Sequence, residues 1–314
     1  MHRRWAGHGR RVRATLIAEA ASVSTPPNIP SVDEIIDLLA SQAYLADTGL
    51  ATALHLAFAL DQPLLLEGEA GVGKTEVGKA LAAALGVDLI RLQCYEGIDA
   101  SQALYEWDYA RQLLHLRGTT TESDESDVDG VFSSRFLQER PLMKALRLGR
   151  DCVLLIDEID RADDEFEAFL LEILSDYQIT VPEIGTIGTD TPPTVIMTSN
   201  RTRELHDALK RRCMYHWIDY PTVDHEVEIV RARAPGVSED LARATSQVVA
   251  RLRAAELVKA PGVAETINWA RALSQLGVEE LSSADLTPTL GAVLKEHDDL
   301  LAVGQQLDDL TRGV

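Results

Sequence analysis

Leu64-Leu65-Leu66-Glu67-Gly68-Glu69-Ala70-Gly71-Val72-Gly73-Lys74-Thr75 is the stretch that decides the fold. The three leucines make a short continuous apolar run, which predicts a strand buried on both faces. Residues Thr75 to Leu85 read as a helix closed by Gly86. Between strand and helix lies GxxxxGKT, residues Gly68 to Thr75. Its glycines let the backbone wrap a phosphate closely, and its N–H groups and the helix N-terminus supply positive potential. Lys74 then reaches the terminal phosphates, and Thr75 offers a hydroxyl ligand to Mg2+. Four fixed positions arise by chance in roughly one chain in a hundred of this length at average composition. The strand before and the helix after lower that figure further.

Further along the chain, Leu89 to Cys94, Cys152 to Ile156 and Val195 to Thr198 are three more short strand candidates. Helical patterns lie between them, such as Phe166, Phe169, Leu170, Ile173 and Leu174 on one face. Strands alternating with helices predict a parallel sheet with helices on both faces. Val153-Leu154-Leu155-Ile156-Asp157-Glu158 is an apolar strand ending in two acids. Ligands of parallel sheets bind beyond the carboxyl ends of the strands, so both acids are expected beside the phosphates. Asp157 is expected to hold Mg2+, largely through water, and Glu158 to orient the attacking water. Asn200 follows the next strand: a neutral amide there either hydrogen-bonds the γ-phosphate or attacking water, or faces solvent in a turn. Arg211 and Arg212 come after it. They are either a trans-acting pair for phosphoryl transfer or two solvated surface arginines.

Composition bounds the rest. The chain has 314 residues, room for one large domain and a smaller one. Thirty Lys and Arg against fifty Asp and Glu give a formal net charge of −20, which repels a polyanion such as nucleic acid. Cys94, Cys152 and Cys213 lie far apart without metal-binding spacing and read as reduced core thiols. No apolar run is long enough to span a membrane, and a cytoplasmic protein is expected. Residues 1–30 read as a disordered basic leader with a Pro-rich linker, and residues 31–221 as the nucleotide-binding α/β domain. The acidic run from Thr119 to Asp129 reads as a solvated loop. Residues 222–277 form an expected α-helical lid, and residues 278–314 a helical tail.

The order GEAGVGKT, VLLIDEIDRA, TSN and KRRC resembles AAA+ ATPases of the MoxR group. Asp157-Glu158-Ile159-Asp160-Arg161-Ala162, Phe169 to Leu174 and Ile179-Thr180-Val181-Pro182 are similar to that group's segment after its second nucleotide motif. Within the group, three phrases resemble the CoxD-like proteins: Leu92-Gln93-Cys94-Tyr95-Glu96-Gly97, Tyr105-Glu106-Trp107-Asp108-Tyr109, and Tyr215 to Pro221. The likeness covers about Ser31 to Gly277. It implies a P-loop AAA+ fold, Mg·ATP hydrolysis at subunit interfaces and a homo-oligomeric, hexameric ring. It implies Asn200 as the sensor asparagine and Arg212, assisted by Arg211, as the arginine supplied in trans. It further implies a chaperone that matures a metalloenzyme, with a partner carrying a von Willebrand factor A domain. For CoxD-like members the client is a molybdenum hydroxylase such as carbon monoxide dehydrogenase. Two other readings are a nucleic-acid-remodelling motor and a nucleotide switch without turnover. In two places the sequence departs from the pattern: Glu265 stands where many AAA+ lids carry an arginine, with Arg271 further along the same helix, and the segment between Asn200 and Arg211 is shorter than in typical MoxR proteins.

Overall fold

Side-chain alternation along β1 (Leu64–Gly68) divides the core in two, because successive residues of a strand point to opposite faces. The computed structural model describes residues 29–118, 133–182 and 184–304. The leader to residue 28, the acidic run and the last ten residues lie outside the described residues. On one face Leu65 joins Leu92, Leu154, Ile156, Val195 and Met197 in a buried cluster. On the other, Leu64 and Leu66 join Val153, Leu155 and Ile196.

The five-stranded sheet has the order β2-β5-β8-β1-β9, every pair parallel. Its strands are β1, β2 (Asp88–Gln93), β5 (Cys152–Asp157), β8 (Thr194–Ser199) and β9 (Met214–Ile218). β1 and β5 are buried along their whole length, which explains their unbroken apolar runs. β2 and β9 lie at the edges and carry exposed residues. The register sets Leu64 opposite both Ile196 and Met214, so all five carboxyl ends reach one rim. β9 is absent from the sequence reading because Met214-Tyr215-His216-Trp217-Ile218 lacks both the alternation and the uniform apolarity of an inner strand.

Helices α1 (Val32–Ser41), α2 (Thr48–Leu60) and α3 (Lys74–Leu85) contribute to the Leu64 face. Ser31 and Glu34 close a capping box at the start of α1. Gly86 ends α3 in the left-handed conformation at φ 68°. α4 (Ala100–Ala103) and α5 (Tyr109–Gly118) flank β3 (Tyr105–Trp107), which pairs antiparallel with β4 (Leu137–Glu139). α6 (Pro141–Leu148) and α7 (Asp164–Asp176) cover the Leu65 face, and β6 (Gln178–Val181) with β7 (Gly185–Gly188) forms a second hairpin. Trp107 is buried against Phe136, Met143 and Val181, whereas Tyr109 is exposed. After the short α8 (Asp207–Lys210), only helices follow β9 among the described residues.

These are α9 (Val223–Arg233), α10 (Glu239–Ala254), α11 (Val263–Gln275), α12 (Ser283–Thr289) and α13 (His297–Gly304). They share one apolar cluster that runs from Val227 to Val303 around the fully buried Trp269. The Trp269 indole donates to Thr289 Oγ1 at 3.0 Å, which satisfies its buried N–H. Inside the same module Arg253 donates to both oxygens of the fully buried Glu226, at 2.7 and 2.8 Å. Thr266 Oγ1 also donates to Glu226, and the Arg253 guanidinium lies 4.4 Å from the Tyr220 ring centroid. Removing one member of such a pair strands the other charge in a low-dielectric site. Glu226→Ala is therefore expected to lower unfolding stability by about 3–5 kcal/mol, read from urea denaturation against wild type.

Candidate nucleotide site

The carboxyl ends of β5, β8 and β9 and the loop that follows β1 meet at one cleft of about 710 Å3. Gly68 ends β1 with φ 156°, and its α-hydrogen side abuts the neighbouring strand: a Cβ there would lie 2.3 Å from Ile218 O. Gly71 and Gly73 take φ values of 80° and 100°, a region in which side chains other than glycine are strained. The turn that follows β1 therefore depends on its glycines. Lys74 opens α3 and folds back into this turn, where Nζ donates to Gly68 O and Glu69 O at 2.7 Å each. Burial pulls its ammonium below the ordinary lysine value, while Asp160, Glu69, Asp157 and Glu158 act in the opposite direction. A buried ammonium bonded only to loop carbonyls, beside left-handed glycines at a helix N-terminus, fits an anion of phosphate type.

Asp157, at the end of β5, is almost fully buried and has both oxygens engaged. Oδ1 accepts from Thr75 Oγ1 at 2.8 Å and from Thr198 Oγ1 at 2.6 Å. Oδ2 accepts from Arg91 Nε at 3.1 Å and from Arg91 Nη2 at 2.5 Å. The sequence reading joined Thr75 to Asp157, and the side chains touch. It missed Arg91 and Thr198. The signal for Arg91 was an arginine among the apolar residues of a strand, with Gln93 two residues on along the same face. Thr75 and Asp157 together offer the hard oxygen donors that Mg2+ takes.

Glu158 turns away from the strand in the left-handed conformation, φ 56°, and its carboxylate pairs with Arg161 at 3.1 Å. A non-glycine residue there costs roughly 1 kcal/mol. Thr198 holds the turn, because Glu158 N donates to Thr198 Oγ1 at 2.9 Å. Asn200 lines the same cleft as Lys74, Thr75, Asp157 and Glu158. The residue before it, Ser199, donates to the buried Glu67 at 3.1 Å and ties the Asn200 turn to β1. Arg211 and Arg212 are exposed and do not line the cleft. Gly68 and Glu69 form the base of the loop, while Ala70, Gly71, Val72 and Gly73 line the cleft directly.

Part of the cleft lining is apolar. Leu45 and Leu50 approach from the α1–α2 side, Ile218 from β9, and Ile229, Val263 and Ile267 from the helical module. The module is bonded to the loop itself, since Val263 N donates to Gly71 O at 2.9 Å. Gly262 packs so closely that a Cβ on it would sit 2.6 Å from Gly71 Cα. Glu265 accepts from Gly262 N at 3.1 Å and does not line the cleft. Arg271 donates instead to the carbonyl of Arg233. Cys94, Cys152 and Cys213 are all buried free thiols, pushed up by burial to about 12, 11 and 12.

Thr198→Val keeps the side chain's shape and removes both bonds of its hydroxyl. It is expected to cost about 1–3 kcal/mol in chemical unfolding, because the Glu158 N–H loses its acceptor.

Comparison with known proteins agrees with this geometry. Residues 63–213 match the family model of the AAA domain, dynein-related subfamily. Protein NorQ of Paracoccus denitrificans is 26% identical over 217 residues, covering 67% of this chain and 72% of NorQ. Protein CbbQ of Hydrogenophilus thermoluteolus is 27% identical over 205 residues, covering 63% of this chain and 67% of CbbQ. Among solved structures, the RuvB Holliday junction branch migration motor of Thermotoga maritima aligns with a TM-score of 0.41 and 18% identity, covering 88% of this chain and 72% of that one. With its phosphate-type loop and parallel sheet, the stretch 63–213 is an AAA-type P-loop ATPase domain, and over about two thirds of its length the chain is similar to NorQ and CbbQ.

Proposed function

We propose that the protein is a cytoplasmic MoxR-type chaperone that hydrolyses Mg·ATP between the subunits of a hexameric ring. Its client is a metalloenzyme undergoing maturation or cofactor insertion. The observation that carries the reading is the meeting of Lys74, Thr75, Asp157, Glu158 and Asn200 in one cleft, while Arg211 and Arg212 stay exposed outside it. A site with its phosphate cradle and acids in one chain, and free arginines elsewhere on that chain, is suited to completion by a neighbour.

In this reading Lys74 leaves its two loop carbonyls for the β- and γ-phosphates. Thr75 and Asp157 hold Mg2+, which neutralises phosphate charge. Glu158 releases Arg161 and orients the attacking water, and Asn200 hydrogen-bonds the water or the γ-phosphate. Arg212 of the adjacent subunit, assisted by Arg211, faces the developing charge, a contribution of about 10³–10⁵ in rate. Residues 222–277 serve as the lid.

The client class rests on the phrases Leu92 to Gly97, Tyr105 to Tyr109 and Tyr215 to Pro221, which resemble CoxD-like members. They favour a molybdenum hydroxylase such as carbon monoxide dehydrogenase, reached with a partner carrying a von Willebrand factor A domain. The strongly acidic chain disfavours nucleic acid as the substrate.

Lys74→Ala is expected to abolish ATP binding in a fluorescent-nucleotide titration; unchanged affinity would sink the phosphate assignment. Glu158→Gln should bind ATP as wild type does and lose turnover, whereas persisting hydrolysis would remove Glu158 from the water-orienting role. The ring is tested by specific ATPase rate against protein concentration, for wild type and Arg212→Ala. A rate that rises with concentration and collapses in the variant is expected. A rate insensitive to both would leave a nucleotide switch in place of a trans-completed motor.

A further inference from the structure

We infer that Arg233 is the residue through which the helical module grips the phosphate chain of the bound nucleotide. The inference rests on the nucleotide reading of the cleft and adds a charged residue from α9, so far represented in that cleft only by the apolar Ile229. His225, Ile229 and Arg233 of α9 all line the cleft. Their spacing of four residues puts them on one helix face, with Arg233 in the last turn. Ile229 belongs to the apolar lining, and Arg233 reaches the first turn of α3. There its Nη2 lies 3.0 Å from Glu76 Oε1. Glu76 directly follows Thr75 in the first turn of α3, beside the N–H groups that face a bound phosphate.

Charge makes this position consequential. Among the described residues lining the cleft, Asp47, Glu76, Asp157, Glu158 and Asp219 are acids, and only Lys74 and Arg233 are Lys or Arg. A polyphosphate entering so acidic a cleft needs each cation it can reach. The helix on which many AAA+ lids carry an arginine supplies none here: Glu265 caps its own helix, and Arg271 is spent on the Arg233 carbonyl. That bond anchors the end of α9 from which Arg233 projects.

The present partner of Arg233 is also replaceable. The other oxygen of Glu76 pairs with Lys79 Nζ at 3.3 Å. When Arg233 turns to phosphate, Glu76 therefore keeps a counter-ion in its own helix. A guanidinium has five donors in a planar fork that matches two phosphate oxygens, and an ammonium does not. Arg233 is about one-third exposed, which leaves it free to make the exchange.

The test is nucleotide titration of the full chain with fluorescent ADP and ATP, in wild type, Arg233→Ala, Glu76→Gln and the double variant. Arg233→Ala is expected to weaken both nucleotides by about tenfold or more. The loss should persist at similar size in the Glu76→Gln background. If the double variant binds as Glu76→Gln alone does, Arg233 only neutralises Glu76 and the inference is overturned. Unchanged affinity in Arg233→Ala overturns it as well. Arg233→Lys, which keeps the charge and the Glu76 pair, guards against a folding defect. It is expected to show an intermediate loss with an unchanged far-UV circular dichroism spectrum, and full wild-type affinity would count against a bidentate grip. Wild type without nucleotide binding would instead defeat the reading of the cleft itself, so the two failures are distinguishable.

Discussion

The carboxylate of Asp157 is the point on which the site depends. It closes β5 and accepts from Thr75 on α3, Thr198 on β8 and Arg91 on β2. Four segments distant in sequence are thus held by one nearly dry anion. Its isolated burial would cost several kcal/mol, and the donors on both oxygens offset that cost. Hydrogen bonds to a charged acceptor are the stronger kind, and each of these also fixes a direction. Thr198 passes the constraint on, since its hydroxyl accepts from the Glu158 N–H while donating to Asp157. The strained turn that aims Glu158 at the cleft is therefore secured by the same node.

A second constraint acts between the glycine loop and the helical module. Gly71 and Gly262 approach so closely that neither position has room for a side chain, and the Val263 N–H bonds the Gly71 carbonyl. Tyr220 adds a link, with its hydroxyl 3.4 Å from Ala70 O and its ring against Arg253. Arg253 in turn is locked on the buried Glu226. A change in the loop's backbone on phosphate binding is therefore mechanically joined to the module's core. That is the property required of an ATPase in which nucleotide state is to be felt elsewhere in the molecule.

Much of this was legible in the chain before folding. Leu64-Leu65-Leu66, Val153 to Ile156 and Val195 to Met197 announce inner parallel strands, because a strand covered on both faces has no polar alternation to hide. The glycine spacing and Lys74-Thr75 announce the phosphate loop, since only small residues reach positive φ without strain. Edge strand β9 was not legible: one side of it faces solvent, and Met214 to Ile218 mixes polar and aromatic residues. Nor was the burial of Trp107 against Phe136 and Met143, since Tyr105 to Tyr109 shows no regular apolar spacing.

The sequence by itself determined the layered α/β fold, the phosphate loop, and the pairing of that loop with Asp157 and Glu158. Those are local properties: apolar runs, backbone freedom at glycine, and acids at a strand end. Only the tertiary structure decided that Arg91 and Thr198 share Asp157, that Glu265 turns to its own helix cap, and that Arg233 faces Glu76 across the cleft. Arg91 and Asp157 are 66 positions apart. Such contacts depend on sheet order, strand register and the docking of separate helices. No spacing along the chain encodes these, because a side chain's partner is set by what the fold brings within about 3 Å.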